Sequence, residues 1–238
     1  MIKRYAIISI LLVLILVLSV LIIDELKPDE SMENNASYIE VISNGSGDVG
    51  TVEVIRNIGN LDGEKIAYVV GVHPLENQTH KTLIKQLMNV SNLNNSYDIY
   101  VINVTQDIGY YGDGSSDDSP GRQNGQNLAY RYVYPEIING SYDLAIDVHS
   151  NVGAYEYQTF VFSPINEGPG NDYAVRLAND CRDISFYAPE STTSGPYLTI
   201  PLNENGVPAF YFEEYSFAPQ EVKDSHMLEL IYAVDNLV

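Results

Sequence analysis

Short apolar runs alternate with helical patterns along most of the chain. Four runs are apolar almost throughout, which is typical of strands covered on both faces of a parallel sheet. Between them, apolar side chains recur at helical spacing. This order predicts a single α/β domain with a mostly parallel or mixed central sheet flanked by helices. The predicted strands are 38–42, 51–56, 65–72, 97–104, 142–148, 155–162 and 207–212, and the predicted helices are 77–90, 127–138, 173–184 and 219–237.

Two segments are predicted to be turns or loops. A Gly/Ser/Asn turn at 44–50 separates the first two strands, which predicts a hairpin or an edge pair. Residues 109–125 are rich in Gly, Ser and Asp and have no apolar period, which predicts a long surface loop. This segment has no Gly-Lys-Ser/Thr phosphate-binding motif. Its aspartates Asp113, Asp117 and Asp118 do not fit a calcium-binding loop and are interpreted as solvated acids.

The amino-terminal region carries an uncharged apolar run at residues 5–23, preceded by Lys3 and Arg4. A run of this length can cross a bilayer, and the basic residues favour a cytoplasmic amino terminus. We therefore predict a cytoplasmic tip and transmembrane signal anchor at 1–23, a stalk at 24–37 and an extracellular domain at 38–238. The predicted location is the cell membrane, with a single span. A cleaved signal peptide is the alternative.

The charge and cysteine content of the chain limit the partners and cross-links that the protein can have. Twelve basic residues against 32 acidic ones, for a net charge of -20, exclude nucleic acid as a partner because phosphate binding needs clustered Lys and Arg. The only cysteine, Cys181, cannot form an internal disulfide and is interpreted as a buried helix residue. Asn-x-Ser/Thr sequons suit an exported glycoprotein. They begin at Asn35, Asn44, Asn77, Asn89, Asn94, Asn103 and Asn139.

Three predicted strands end in residues that can bind a metal or move a proton. His73 and Glu76 follow the first of them, His149 ends the second, and Glu213 closes the third. Ligands collect at the carboxyl ends of the strands in such sheets. Two histidines and one glutamate form a ligand set for Zn²⁺ with an open fourth position. Glu213 is then left to act as a base, while the neighbouring Glu214 faces the other side of the sheet.

These motifs resemble the zinc carboxypeptidase superfamily, including its short branch of succinylglutamate desuccinylase and aspartoacylase enzymes. The family's His-x-x-Glu matches His73 to Glu76, and its Asp-x-His-Ser matches residues 147–150. Its catalytic glutamate on a late strand matches Glu213 within 209–213. The resemblance covers about residues 60–220, and the short separation of the two histidine motifs is closer to the deacylase branch.

The resemblance implies a role for each residue. Zinc held by His73, Glu76 and His149 would activate water and polarise an amide carbonyl, and Glu213 would take the proton from that water and return it to the leaving nitrogen. Asp147 would either support His149 from behind or contact the substrate.

Substrate binding is where the chain departs from the family pattern. The family carries an Asn-Arg pair, and often another arginine, for the substrate carboxylate. Here the sequence between the two motifs reads Pro-Gly-Arg-Gln-Asn at 120–124, so only Arg122 carries over. A guanidinium grips a carboxylate at two points. Arg131, on a predicted helix, is the weaker candidate, and Tyr197 is a candidate for the pocket wall.

Three functions remain open at this point. The leading one is a membrane-anchored extracellular zinc metallopeptidase that cleaves amide bonds of peptides or cell-wall-type peptides. The second is an N-acyl amino acid deacylase, and the third is a non-catalytic binding domain that retains the fold. His80 and His226 lie on predicted helices without partners and are interpreted as ordinary polar residues. Ser150 lacks the Gly-x-Ser-x-Gly motif of a serine hydrolase.

Overall fold

The computed structural model describes residues 36–43, 49–106 and 120–238. Residues Ser37–Val238 form one compact unit. The predicted anchor at 5–23, nearly all of the stalk, the turn at 44–48 and the three aspartates of the predicted loop lie outside the described residues. Within the part of the chain that is described, no helix has the length and apolarity that a membrane span requires.

Eight described strands form one mixed sheet in the order β1-β2-β4-β3-β5-β8-β6-β7. The four central strands β4, β3, β5 and β8 run parallel to one another. Strands β1 and β2 form the predicted antiparallel pair at one edge. The strands are β1 Tyr38–Ser43, β2 Gly50–Gly59, β3 Lys65–Val70, β4 Ser96–Val104, β5 Leu144–Asn151, β6 Phe160–Phe162, β7 Ser185–Phe186 and β8 Ala209–Tyr215.

Helices cover both faces of the sheet. Helices α1, α4 and α6 bury apolar side chains against one face, and α2, α3 and α5 pack on the other with the π-helical turn that joins α2 to α3. The predicted fold class, an α/β domain with a mixed central sheet between helices, is therefore confirmed. The helices are α1 Asn77–Asn89, α2 Pro120–Leu128, the π-helical turn Ala129–Val133, α3 Tyr134–Asn139, α4 Pro169–Asp180, α5 Thr199–Glu204 and α6 Gln220–Asp235, and 3-10 turns lie at Pro74–Glu76 and Gly195–Tyr197.

The predicted loop at 109–125 is wrong at its carboxyl end. Residues from Pro120 onwards are helical, so Arg122 lies in α2 and not in a loop. Gly125 explains the missing apolar period. A Cβ atom there would lie 2.0 Å from the carbonyl oxygen of Val72, so the bare helix backbone packs where a large apolar side chain would otherwise lie.

The predicted strand at 155–162 is also mostly wrong, since only Phe160–Phe162 pairs with the sheet. The alternating aromatic residues before it, Tyr155 and Tyr157, are exposed and contact the ring of Tyr187 instead. Their alternation thus reflects an aromatic surface cluster and not a half-buried strand.

Candidate metal centre

The carboxyl ends of β3, β5 and β8 lie at one edge of the sheet, because these strands are parallel neighbours. His149 is paired in register with Glu213 across β5 and β8. Strand β3 ends at Val70, and the chain then turns to place His73 and Glu76 at the same edge. The topology therefore brings four residues from three separate parts of the sequence together.

The turn after β3 depends on Gly71. Its φ angle is +91°, and a Cβ atom at this position would lie 1.9 Å from the carbonyl oxygen of Ile102. Only glycine combines this backbone conformation with so close an approach. The following residues enter a 3-10 turn with Pro74 at its start, which brings Glu76 back over His73.

We expect Gly71→Ala to lower the free energy of unfolding by about 3 kcal/mol, because it combines a disfavoured φ with a backbone clash. Gly206→Ala is the matched control: Gly206 also has a positive φ, of 88°, but nothing lies within 4 Å of its Cβ position. Gly206→Ala should lower the free energy of unfolding by only about 1 kcal/mol. Urea denaturation of the two variants measures both values, and equal losses would contradict the proposed clash.

His73, Glu76 and His149 converge on one point. One ligand atom from each lies within 4.8 Å of the others, and all three residues are buried. The Nδ1 atom of His73 lies 3.0 Å from Glu76 Oε1, and the Nδ1 atom of His149 lies 3.0 Å from Glu76 Oε2. The backbone N–H of Ser150 also donates to Glu76 Oε2 at 2.9 Å, which fixes the carboxylate between the two imidazoles.

The outer nitrogens of both imidazoles also have neighbours. His149 Nε2 lies 3.0 Å from Asp147 Oδ1, which is ion-pair distance, although the orientation does not satisfy hydrogen-bond geometry. His73 Nε2 lies 3.4 Å from the side-chain amide of Gln126 on α2. Since the amide can be turned by 180°, its oxygen can accept a hydrogen bond from the Nε2–H group while Nδ1 stays free for a metal. Gln126 was not predicted as a site residue, because no motif or apolar period marks it.

The charges at the site are tightly coupled. Burial opposes ionisation of Glu76, but His149 and His73 outweigh it and hold the pKa of Glu76 well below its usual range. Burial lowers the pKa of His73 to about 4, so this imidazole is neutral at pH 7. For His149, burial is outweighed by Asp147 and Glu76, which raise its pKa well above the usual value. The site thus holds positive charge between two buried carboxylates.

The donor set fits a zinc ion. Two nitrogens and a carboxylate are its usual ligands, and ligand atoms 2.0–2.2 Å from a tetrahedral ion lie roughly 3.4 Å apart. Each imidazole Nδ1 lies 3.0 Å from one oxygen of Glu76, and the three ligand atoms lie within 4.8 Å of one another. Close to these ligands, Glu213 Oε2 is buried without a hydrogen-bond partner among the described residues. Such unpaired polar atoms are costly unless a ligand completes the site.

Glu213 lines the same cavity as the three convergent residues, a space of about 320 Å³. Burial, together with Glu76 and Asp147, raises the pKa of Glu213 to about 8. A carboxyl group that titrates near neutral pH can both accept and return a proton. Its neighbour Glu214 lies on the opposite face of β8, fully buried.

Arg122 also lines this cavity. Its Nη1 atom lies 3.7 Å from Glu76 Oε1, and its Nη2 donates to the Thr193 hydroxyl at 3.1 Å. The other two candidates do not line the cavity: Arg131 lies over the ring of Tyr132, and Tyr197 belongs to a neighbouring 3-10 turn. The wall includes Tyr211 and a run of hydroxyl side chains at 191–194.

His80 is buried, contrary to the expectation of an ordinary polar residue. Its Nε2 accepts a hydrogen bond from the backbone N–H of Gly71 at 3.4 Å and lies 3.9 Å from Glu76 Oε2. Burial lowers the pKa of His80 to about 4, so the ring is neutral and able to accept. It links the first turn of α1 to the end of β3. The spacing of four residues from Glu76 was the sequence signal for this arrangement.

His226 also has partners, contrary to expectation. Its Nδ1 lies 3.0 Å from Glu214 Oε2, and the Thr159 hydroxyl donates to Glu214 Oε1 at 3.1 Å. The hydrogen bond to Glu214 raises the pKa of His226 above 6.5 despite partial burial. The pair joins α6 to β8 behind Glu213.

The raised pKa of His226 predicts a pH-dependent stability. The contribution is fully present below the unfolded-state pKa of 6.5 and is lost as the pH rises through the higher folded-state pKa. Thermal denaturation from pH 6 to 9 should show wild type losing its advantage over His226→Gln across this range. A difference between the two proteins that stays constant with pH would contradict the assignment.

The fold has known counterparts among solved structures. A metallo-carboxypeptidase from Pseudomonas aeruginosa, solved with (2-guanidinoethylmercapto)succinic acid, matches with a TM-score of 0.54 and 15% identity over 83% of this chain. A metallopeptidase-like protein from Shewanella denitrificans matches with a TM-score of 0.51 and 9% identity over 86% of this chain and 85% of its own. The cell shape determinant Csd4 from Helicobacter pylori, solved with a tripeptide, gives 0.50 and 13% over 84% of this chain.

These matches show the fold alone, because the identities are low. The chain spans 64% of the length of the Pseudomonas enzyme and 54% of Csd4. No protein-family model and no curated protein sequence matches the chain. The resemblance to the zinc carboxypeptidase superfamily is confirmed at the level of fold, and the assignment to the short deacylase branch stays a prediction.

Proposed function

We propose that this protein is a zinc-dependent hydrolase that cleaves amide bonds of peptides, with Glu213 as the general base. The observation that carries the proposal is the convergence of His73, Glu76 and His149 in one cavity that Glu213 also lines. The fold alone would not distinguish an enzyme from a binding domain. The placement of a fourth, titratable carboxyl beside three buried ligand atoms favours catalysis.

His73, Glu76 and His149 would hold the zinc ion. Zinc bound there would polarise the substrate carbonyl and lower the pKa of a water molecule towards about 7. Asp147 and Gln126, next to the outer nitrogens, would keep each imidazole turned so that Nδ1 faces the ion.

Glu213 would move the proton. Its carboxylate removes a proton from the attacking water and then gives that proton to the leaving nitrogen, so the base is restored after each cycle.

Arg122 would bind a substrate carboxylate. Its guanidinium lies beside the ligand set and donates to Thr193, so its planar donor group is close to the reacting centre. The substrate would then be a peptide with a free terminal carboxylate. The metallo-carboxypeptidase fold and the tripeptide complex of Csd4 support a peptide of this kind.

Matched peptides test this assignment. We expect the zinc-loaded full chain to cleave a peptide with a free carboxyl terminus about 10²-fold more efficiently than the same peptide with a terminal amide. Arg122→Gln should remove most of that preference by raising KM for the free acid. Equal cleavage of both peptides, or an unchanged preference in Arg122→Gln, would contradict carboxylate binding by Arg122.

An N-acyl amino acid deacylase is the second candidate. The size of the cavity, about 320 Å³, favours it because one amino acid and a short acyl group would fill the space. A panel of N-acyl amino acids beside the peptides separates the two functions. Hydrolysis confined to the acyl amino acids would establish the deacylase and rule out the peptidase.

The site would act outside the cell. This proposal rests on the apolar run at 5–23 and on the sequons, of which the described asparagines Asn77, Asn89, Asn94, Asn103 and Asn139 are exposed. Without protease, the protein should be recovered in the membrane fraction. Protease added to intact cells should then digest the domain from residue 38 onwards. Protection of that domain would show the opposite orientation or an internal location.

A further inference from the structure

A second cavity, of about 520 Å³, lies beside Glu76. Its wall is formed by residues 75–79 at the start of α1, by Ser150 and by residues 216–218 after β8. It shares Glu76 and Ser150 with the first cavity, so both spaces meet at the same carboxylate. The proposed chemistry does not use this second cavity.

A buried lysine stands behind the wall of the second cavity. Lys223 on α6 is only 2% exposed, and its Nζ donates to the Gln78 side-chain oxygen at 2.9 Å and to the Ser216 carbonyl at 2.6 Å. Gln78 and Ser216 both line the cavity. Among the described residues no carboxylate forms a salt bridge with Lys223, and a buried ammonium without a counter-ion is costly. Lys223 therefore places a positive charge behind Gln78 and Ser216 in the wall.

The first turn of α1 adds to this positive field. Residues 77–79, which begin the helix, line the cavity, so the positive end of the helix dipole lies there. Thr79 is 1% exposed, and its hydroxyl has no hydrogen-bond partner among the described residues. Thr79 thus offers an unused donor in a wall where Lys223 and the helix favour an anion.

Glu76, the N-cap residue of α1, is the one carboxylate among the residues that line this cavity. Its two oxygens are already in contact with the imidazoles of His73 and His149 and with the backbone N–H of Ser150. Arg122 lies near Oε1, whereas Ser150, which lines both cavities, binds Oε2.

We infer that the second cavity binds an acidic side chain of the substrate, on the acyl side of the amide bond, opposite the carboxylate held by Arg122. The inference rests on the proposed function, because one substrate must span both cavities. Phe217, 69% exposed, and Leu75 would pack on the methylene groups of that side chain. The preferred substrates would be peptides with aspartate or glutamate just before the cleaved bond.

Binding without turnover tests this inference separately from catalysis. The protein is the zinc-loaded full chain carrying Glu213→Gln, and the probes are acetyl-Glu-Ala and its uncharged isostere acetyl-Gln-Ala, titrated by calorimetry. We expect acetyl-Glu-Ala to bind about 10-fold more tightly. Adding Lys223→Met should reduce this ratio to about 1, and adding Thr79→Val should reduce it to about 3.

Lys85→Met is the matched control, since Lys85 is an exposed lysine of α1 that pairs with Asp224 and lines neither cavity. It should keep the 10-fold ratio. If Lys223→Met does not fold, Thr79→Val decides. Equal binding of the two probes, a ratio that survives in Lys223→Met or Thr79→Val, or tighter binding of acetyl-Leu-Ala than of both probes would overturn the inference. Failure of wild type to hydrolyse any peptide would count against the proposed function and leave the binding result intact.

Discussion

Glu213→Gln should lower kcat by about 10²–10⁴-fold while the protein keeps its zinc and its fold. Glutamine has nearly the same shape as glutamate but cannot accept the proton from water. Stability should be unchanged or higher, because Glu213 is buried with a pKa raised to about 8 and the variant removes the cost of ionising it. Steady-state kinetics on the cleaved peptide, with thermal denaturation and zinc content measured on the same sample, check all three expectations.

Glu214→Gln, at the adjacent residue, is the matched control. Glu214 accepts hydrogen bonds on the other face of β8 from Thr159 and Tyr215 and contacts His226. Its replacement should reduce stability but leave kcat within a few-fold of wild type. If Glu213→Gln hydrolyses the peptide as fast as wild type, or if Glu214→Gln is the variant that loses activity, Glu213 is not the base.

His149→Ala should abolish stoichiometric zinc and, with it, hydrolysis. The free energy of zinc binding at structural sites is about 10–16 kcal/mol, to which four ligands contribute. Loss of one ligand therefore weakens the zinc affinity by roughly 10²–10³-fold. Asp147→Asn should have a smaller effect, about 10–100-fold, because Asp147 contacts the imidazole and not the ion. Elemental analysis after dialysis, followed by competition with a chelator, measures the series.

His226→Ala serves as the control for loss of a histidine. His226 contacts Glu214 and Thr159 and does not line the cavity. It should retain one zinc per chain with unchanged affinity. Full zinc content in His149→Ala, or equal losses in His149→Ala and His226→Ala, would contradict the proposed ligand set.

The sequence predicted that His73, Glu76, His149 and Glu213 lie together, because a simple rule determines their placement. The apolar runs before His73, His149 and Glu213 mark buried parallel strands, and parallel strands end at the same edge of a sheet. The sequence also predicted which of the two glutamates faces the site, since the side chains of Glu213 and Glu214 alternate between the two faces of β8. Periodicity over a few residues was enough for these features.

Such periodicity could not predict the positions of Arg122, Gln126 and His80 at the site. The helix that carries Arg122 and Gln126 lacks an apolar period because Gly125 packs its bare backbone against Val72. His80 lies on a helix that was predicted correctly, but its burial depends on contact with Gly71, nine residues earlier. Lys223 is the same case: α6 was predicted, but its buried amine is held by groups on α1 and after β8. Contacts of this kind are set by tertiary packing, and the apolar periodicity of the sequence does not show them.

The most direct test of the proposed metal centre is a crystal structure of the full chain with data collected at the zinc absorption edge. The predicted result is one anomalous peak about 2.0–2.2 Å from the Nδ1 atoms of His73 and His149 and from the carboxylate of Glu76. A structure of zinc-supplemented protein with no peak between these residues, or with its zinc elsewhere, would contradict the account.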